Sequence, residues 1–256
     1  MILGAQGYTV RAFMQNERDI HRTLQKVAAI GYRTIQISGI GPIDPQRLRA
    51  LCDESGLQIV LTHTPEARIL NDIDAVIREH DILGCDYIGL GSMPERYRQG
   101  GEAWVRFFGE DFLTPAKKMR DAGKLFMYHN HNFEFERMPG GQTLMELILE
   151  MFPADLMGVT LDTYWLQAAG CDIVQWIQRL GDRIPCVHLK DMSVAGSEIR
   201  MAAVGDGNLN WPAILEAIQR NGKTKYMLVE QDTCYGESPF DCLKRSYEHV
   251  ASLGYK

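Results

Sequence analysis

Four short apolar runs of this chain each end in side chains that bind metals or move protons. Leu125–Tyr128 runs into His129-Asn130-His131, Met157–Leu161 into Asp162, Ile184–Val187 into His188-Leu189-Lys190-Asp191, and Tyr226–Val229 into Glu230. The sites are roughly thirty residues apart, about the length of one strand-plus-helix unit. If the runs are neighbouring strands of a closed parallel barrel, their ends converge at one mouth, where such barrels place catalytic groups. Two carboxylates and at least one imidazole meeting there make a divalent-metal site. Its mixed oxygen and nitrogen ligands suit Mn, Co, Mg, Zn or Fe. A carboxylate that ends a buried strand is costly unless paired or metal-bound, which favours a metal over a helix cap or loop carboxylate for Asp162 and over a structural salt bridge for Glu230.

Side chains two apart on a strand share a direction, so His129 pairs with His131 and His188 with Lys190. His63 ends a further apolar run, Leu57–His63. Four of the seven histidines therefore fall at expected strand ends, while His21, His80 and His249 fall on expected helices and read as surface residues. Tyr164, Trp165 and Trp211 are candidates for a sugar-stacking wall, with burial in the core as the alternative. The segment Gly205-Asp206-Gly207-Asn208-Leu209-Asn210-Trp211-Pro212 has the look of a phosphate cradle but lacks its Lys-Ser/Thr. It reads better as a mobile loop ending in an Asn210 helix cap.

The elements that must position these groups alternate along the chain. Strands are expected at Ile2–Gln6, Thr34–Ser38, Leu57–His63, Asp86–Gly91 and Lys124–His131, and at the last three runs named above. Helices are expected at Glu17–Ile30, capped by Asn16 and closed by Gly31, from Asp44-Pro45 to Gly56, over Pro65–Leu83, and over Glu102–Ala122. Others follow at Thr143–Phe152, Cys171–Leu180, Trp211–Asn221 and Ser238–Leu253. Eight strands, each followed by a helix, predict an α/β protein of parallel strands, and the count favours a TIM (β/α)8 barrel over an open sheet. No Gly-x-Gly-x-x-Gly turn follows the first strand, which argues against a dinucleotide fold. The length, 256 residues, fits one barrel, and no linker composition interrupts it, so residues 1–256 read as one domain.

The net charge of −6 argues against a nucleic-acid partner. Six scattered cysteines, at 52, 85, 171, 186, 234 and 242, form no C-x-x-C pair and read as buried thiols of a reducing compartment. With no signal-like or spanning segment, a cytoplasmic protein with no membrane partner is expected. A homo-oligomer is compatible with all of this.

Taken in order, Tyr128-His129-Asn130-His131-Asn132-Phe133-Glu134-Phe135, Leu161-Asp162-Thr163-Tyr164-Trp165, Val187-His188-Leu189-Lys190-Asp191 and Gly205–Trp211 resemble the xylose-isomerase-like sugar phosphate isomerase/epimerase superfamily. The resemblance is strongest to its inosose-dehydratase-like branch. Gln6-Gly7-Tyr8 with Arg11, and His63-Thr64-Pro65, fit that branch too. The resemblance implies a TIM barrel with one divalent metal, often Mn, held by a Glu, an Asp, a His and a Glu on strands five to eight. Asp162, His188 and Glu230 match the last three. His129 stands where many relatives have the first Glu, and Glu134 is the other candidate.

The implied chemistry is that of a metal-dependent isomerase or epimerase. It removes a proton beside the carbonyl of a keto-sugar or sugar phosphate, through a metal-stabilised enediolate. Glu230 or Glu134 is the expected base. His131, His63 and Lys190 are expected as the second acid or base or as oxygen contacts, and Gln6, Tyr8, His63 and Trp165 as substrate contacts. Loss of a β-substituent from the same enediolate would make the protein a lyase of a keto-inositol or keto-glycoside. An endonuclease of the same barrel class would need more ligands and a basic surface. A non-catalytic sugar-binding barrel would have no use for Asp162, His188 and Glu230 together.

Overall fold

The computed structural model describes residues 1–98 and 102–256. Its strands are β1 (Ile2–Gln6), β2 (Thr34–Ile37), β3 (Gln58–His63), β4 (Tyr87–Leu90), β5 (Leu125–His129), β6 (Met157–Asp162), β7 (Cys186–Leu189), β8 (Asp191–Ala195), β9 (Glu198–Ala202) and β10 (Tyr226–Val229). Eight of them close a parallel barrel in the order β1-β10-β7-β6-β5-β4-β3-β2, with β10 pairing back onto β1. This is the expected TIM barrel.

The helices form where local signals put them. Asn16 Oδ1 accepts from Asp19 N–H at the start of Glu17–Ile30, and Gly31, at φ +130°, ends it. Thr143 and Glu146 make a reciprocal capping box at Leu144–Met151. Aromatic packing between β5 and its neighbouring helices joins Phe108, Phe112, Phe126, Tyr128 and Phe152 in one buried cluster. The last helix, Pro239–Ser252, returns to the first through Tyr32, whose hydroxyl donates to Leu243 O at 2.8 Å. Among the described residues no helix is long and apolar enough to cross a membrane.

Inside the barrel the two-residue alternation stacks polar layers on an apolar floor. Met127, Cys186 and Leu228 are buried low in the interior. Two residues further along the same strands come His129, His188 and Glu230, and two further again come His131, Lys190 and Asp232. Each strand thus climbs from a hydrophobic plug to a possible ligand and then to a group at the mouth.

Three expectations are corrected. β8 and β9 form an antiparallel hairpin, Asp191 opposite Ala202, inserted between β7 and its helix. His80 is buried, not on the surface: its ring bridges Thr62 Oγ1 at 2.8 Å and Val76 O at 2.7 Å. The Gly205–Trp211 loop is not free. It wraps the buried carboxylate of Asp191, which accepts from the backbone N–H of Met192, Gly205, Gly207 and Leu209 at 2.7–3.2 Å and from Trp211 Nε1–H at 2.6 Å. Trp211 is therefore a buried anchor and not a sugar wall, while Asn210 does cap the helix Trp211–Asn221.

Removing the Asp191 carboxylate orphans several buried donors at once. Asp191→Ala should lower stability by about 3–5 kcal/mol in urea denaturation. Asp206→Ala, which breaks only the exposed Arg245 pair a few residues away, should cost about 1 kcal/mol or less.

Candidate active site

At the C-terminal end of the barrel, β5, β6, β7 and β10 bring His129, Asp162, His188 and Glu230 together. One ligand atom from each lies within 4.8 Å of all the others, and all four residues are buried. His129 Nε2 is 3.3 Å from Asp162 Oδ2, His188 Nδ1 is 3.8 Å from the same oxygen, and His188 Nδ1 is 2.9 Å from Glu230 Oε2.

The outer partners fix which nitrogen faces the cluster. His129 Nδ1–H donates to Gly91 O at 2.8 Å, leaving the Nε2 lone pair turned inward. A side chain at position 91 would not fit, because a Cβ there would lie 2.9 Å from His63 Nδ1. His188 Nε2–H donates to Gln36 Oε1 at 2.7 Å, leaving Nδ1 turned inward. That buried Nδ1 has no hydrogen-bond partner despite its short approach to Glu230. A lone pair aimed at a carboxylate is repelled unless a cation lies between them. The donor set, two imidazole nitrogens and two carboxylates, therefore fits one divalent cation.

Without a cation the electrostatics act on the two rings in opposite directions. Burial pushes the His188 pKa down, and Glu230 only partly offsets this, so the ring is neutral. Burial would also lower that of His129, but Asp162 and Glu230 outweigh it and raise the value. Burial would raise Asp162 and Glu230, yet the Lys190 charge, with the nearby imidazoles, holds both below the ordinary carboxylate range. Lys190 is buried, and three carboxylates pull its pKa up against desolvation. It alone does not balance them: Asp232 Oδ2 lies at 2.8 Å, Glu230 Oε2 at 3.3 Å and Asp162 Oδ2 at 3.6 Å from its ammonium.

Above the cluster is a cavity of about 280 Å³. Lys190, Glu230 and Asp232 line one side, and His63, His129 and His131 the other, with Tyr8, Ser38 and Ser92 completing it. His63 stacks on His129 at 5.4 Å between ring centres, and Ser38 Oγ meets its Nδ1 at 3.0 Å. Burial lowers the pKa of His63 well below the usual value and pushes that of His131 down to about 2. His63 Nε2, His131 Nδ1 and Asp232 Oδ1 are buried without a protein partner.

The other expected site residues serve around this cavity. Gln6 does not line it: its Nε2–H donates to Glu230 Oε1 at 3.1 Å, and its Oε1 accepts from Tyr8 N–H at 2.8 Å. Trp165 packs on His131 at 5.0 Å, with Lys190 5.4 Å from its ring centre. Asp162 is also a helix cap, since Oδ1 accepts from Trp165 N–H at 3.0 Å. Glu134 stays outside the cluster and the cavity lining. Its two oxygens accept from Tyr128 O–H at 2.6 Å and His131 N–H at 2.8 Å, and burial raises its pKa to about 7.

Three participants escaped the sequence reading. Gln36 sits inside the otherwise apolar Thr34–Ile37 run, a signal in itself. Asn130 Oδ1 accepts from Asp162 N–H at 2.9 Å. Asp232, two residues past Glu230, shares its direction by alternation, and burial raises its pKa to about 6.

Comparison with known proteins places these features in context. Residues 24–241 match a family model described as Xylose isomerase-like TIM barrel. An inosose dehydratase of Lacticaseibacillus casei is 29% identical, over 84% of this chain and 83% of that protein. A sugar phosphate isomerase/epimerase from Parabacteroides distasonis superposes with a TM-score of 0.79 at 24% identity, covering 97% of this chain and 92% of the other. An L-ribulose 3-epimerase superposes with a TM-score of 0.76 at 15% identity, covering 98% and 94%. The two structural likenesses bear on the fold.

After loading with Mn2+ and desalting, elemental analysis should find about one ion per chain. His129→Ala and Asp162→Ala should lose it, and Gln36→Leu should weaken it by roughly tenfold by freeing the His188 ring. Glu134→Gln should keep it. Equal metal content in the wild type, His129→Ala and Asp162→Ala would contradict the assignment.

Proposed function

The chain belongs to the xylose isomerase-like TIM barrel family, and on that premise we propose that it is a divalent-metal-dependent enzyme that removes the proton beside the carbonyl of a polyhydroxy ketone. The substrate is of the sugar or cyclitol class, and return of the proton at a new position or face makes the protein a sugar isomerase or epimerase. One observation carries this reading: four buried donors that could hold one cation include two, His129 and Glu230, that line a cavity whose wall also holds an unpartnered carboxylate oxygen. His129, Asp162, His188 and Glu230 hold the metal, with Mn the expected ion for this mixed nitrogen and oxygen set. When bound, the ion supplies Lewis-acid polarisation of the substrate's carbonyl and neighbouring hydroxyl oxygens.

The proton acceptor follows by elimination. Glu230 and Asp162 have their oxygens committed to the cluster and to Gln6, Lys190 or Trp165. Glu134 is committed to Tyr128 and His131. We therefore move the role of base from Glu134 and Glu230 to Asp232, whose Oδ2 is held by Lys190 and whose Oδ1 is free. Glu134 instead acts as a positioning residue for the His129–His131 segment. His63 and His131 offer nitrogens to substrate hydroxyls. Tyr8, which lines the cavity, and Trp165, packed behind His131, shape its walls.

A second outcome of the same step is elimination of a β-hydroxyl or β-alkoxy group, which would make the protein a lyase. The one-sided distribution of carboxylates favours it. Inverting a carbon needs a proton donor on the opposite face, and the groups there are imidazoles held neutral by burial. The named activity of the L. casei relative, a dehydratase, points the same way.

Incubation of ketoses and keto-cyclitols with the Mn2+-loaded protein in D2O should place deuterium beside the carbonyl. Asp232→Asn should slow this by roughly a hundredfold or more while retaining the metal. Rearranged or inverted product marks an isomerase or epimerase, and an unsaturated ketone with loss of water or alcohol marks a lyase. Metal-dependent cleavage of abasic DNA without exchange into any ketone would overturn the proposal.

A further inference from the structure

Two thiols that the enolisation does not use meet just beyond the proposed base. Past Asp232 the chain turns at Cys234–Glu237, where Glu237 N–H donates to Cys234 O at 2.9 Å, and then enters the helix Pro239–Ser252. Tyr235 and Gly236 make this turn with φ of +49° and +92°. Tyr235 is held in that left-handed conformation from the β8–β9 hairpin. Met201 N–H donates to its hydroxyl at 3.2 Å, and the Arg200 guanidinium lies 4.9 Å from its ring centre. The turn carries Cys234 back against the start of the helix, where Cys242 N–H donates to Ser238 O at 3.1 Å. There the Cys234 thiol donates a hydrogen bond to the Cys242 sulfur.

The two sulfurs differ in access and in charge. Cys234 is half-buried, while Cys242 is buried. The Arg245 guanidinium, itself paired with Asp206 and Glu237, lies with Nη2 3.9 Å from Cys242 Sγ. The hydrogen bond from Cys234, helped by Arg245, holds the Cys242 thiol below its usual pKa against burial and Glu237. Donation to Cys242, followed by burial, raises the pKa of Cys234. The pair thus shares one proton, which rests on the sulfur that solvent reaches. Cys52, Cys85 and Cys186 are buried, and burial pushes their thiols up, to about 12 for Cys52 and Cys85. A thiolate is the form that exchanges with disulfides, so the Cys234–Cys242 pair stands apart from these three.

We propose that Cys234 and Cys242 are a reversible disulfide site, closed by a small-molecule disulfide of the glutathione class that arrives at the half-exposed Cys234. Cys234 passes its proton to the Cys242 thiolate and attacks one sulfur of the reagent. The reagent's S–S bond breaks, a mixed S–S bond forms on Cys234, and one glutathione leaves as a thiolate. Cys242 surrenders its proton through solvent to that thiolate and attacks Cys234 Sγ. The second glutathione leaves as a thiolate that solvent protonates. Two electrons pass from the protein sulfurs to the reagent, which is reduced to two thiols.

An S–S bond, at roughly 2 Å, is shorter than the hydrogen bond it replaces, so it draws the turn onto the helix. Asp232 lies two residues before Cys234, with Lys190 at 2.8 Å from its Oδ2 and Arg11 Nη1 at 3.2 Å from its backbone oxygen. The pull therefore reaches the wall carboxylate, and its effect on turnover rests on the role given to Asp232 above.

The full chain, reduced and freed of reductant, is incubated with oxidised glutathione, quenched with acid, alkylated in denaturant and mapped by mass spectrometry. Peptides linked through Cys234 and Cys242 are expected, with the other four of the six cysteines alkylated, and dithiothreitol should restore all six. Cys242→Ala should stop at a lasting glutathione adduct on Cys234, and Cys234→Ser should leave the buried Cys242 unmodified. Six alkylated cysteines in the treated, unaltered protein overturn the site. A glutathione adduct on Cys234 that does not pass to Cys242 overturns it too. Exchange of deuterium into a ketone by the Mn2+-loaded protein should fall by roughly tenfold on linkage and return on reduction. Unchanged exchange in the linked protein overturns the pull on Asp232 and upholds the disulfide. Linked peptides with no exchange in either state uphold the disulfide and overturn the enolising function.

Discussion

Everything at the mouth of this barrel depends on one electrostatic constraint: two imidazole lone pairs and two carboxylates are buried facing one another. His188 Nδ1 and Glu230 Oε2 are 2.9 Å apart, with no proton assigned between them once His188 Nε2–H is given to Gln36. In a low-dielectric interior such a contact is strongly unfavourable unless a cation relieves it. Lys190 contributes one charge from the side, but it serves three carboxylates and is drawn most closely to Asp232. The arrangement is therefore held in a form that a divalent cation completes, and the surrounding hydrogen bonds make sense as devices that prevent relaxation. Gly91 O, Gln36 and Gln6 each take a polar atom of a possible ligand, and Asn130 takes the Asp162 backbone N–H. None of these atoms is then free to turn away.

The barrel makes this possible by geometry alone. Parallel pairing puts Asp162 beside His188, and His188 beside Leu228, which precedes Glu230 by two positions. The strands that carry the cluster also carry the apolar plug below and the cavity wall above. A change of one position in register would send every one of these side chains into the helix layer. The same alternation explains why Asp191, odd-numbered beside Lys190, leaves the cavity and becomes the internal anion that organises the Gly205–Trp211 loop.

Much of this was legible in the chain. The barrel follows from alternating strand and helix signals, and the four clustered residues stand out because each ends an apolar run. Other features were hidden for physical reasons. His80, expected at the surface, shares a helix face with Ile73, Val76 and Leu83, a spacing that predicts burial. The β8–β9 hairpin begins directly after the Lys190 position and is too short to separate from a loop by composition. The choice between His129 and Glu134 could not be made from spacing. Glu134 lies in a single helical turn, Phe133–Phe135, whose direction is set by the hydrogen bonds to Tyr128 and His131. Asp232 lies beyond the apolar run and carries no strand signal of its own, although its parity with Glu230 gives the two a common direction.

The central claim is that His129 and His188 turn their lone pairs onto one bound cation. Electron spin-echo envelope modulation of the Mn2+-loaded protein reads imidazole nitrogen bound directly to the metal. The account predicts nitrogen modulation from two imidazoles, reduced to one in His129→Ala wherever residual metal remains. Bound Mn2+ with no directly coordinated nitrogen, in a protein whose His129 and His188 are intact, would contradict it.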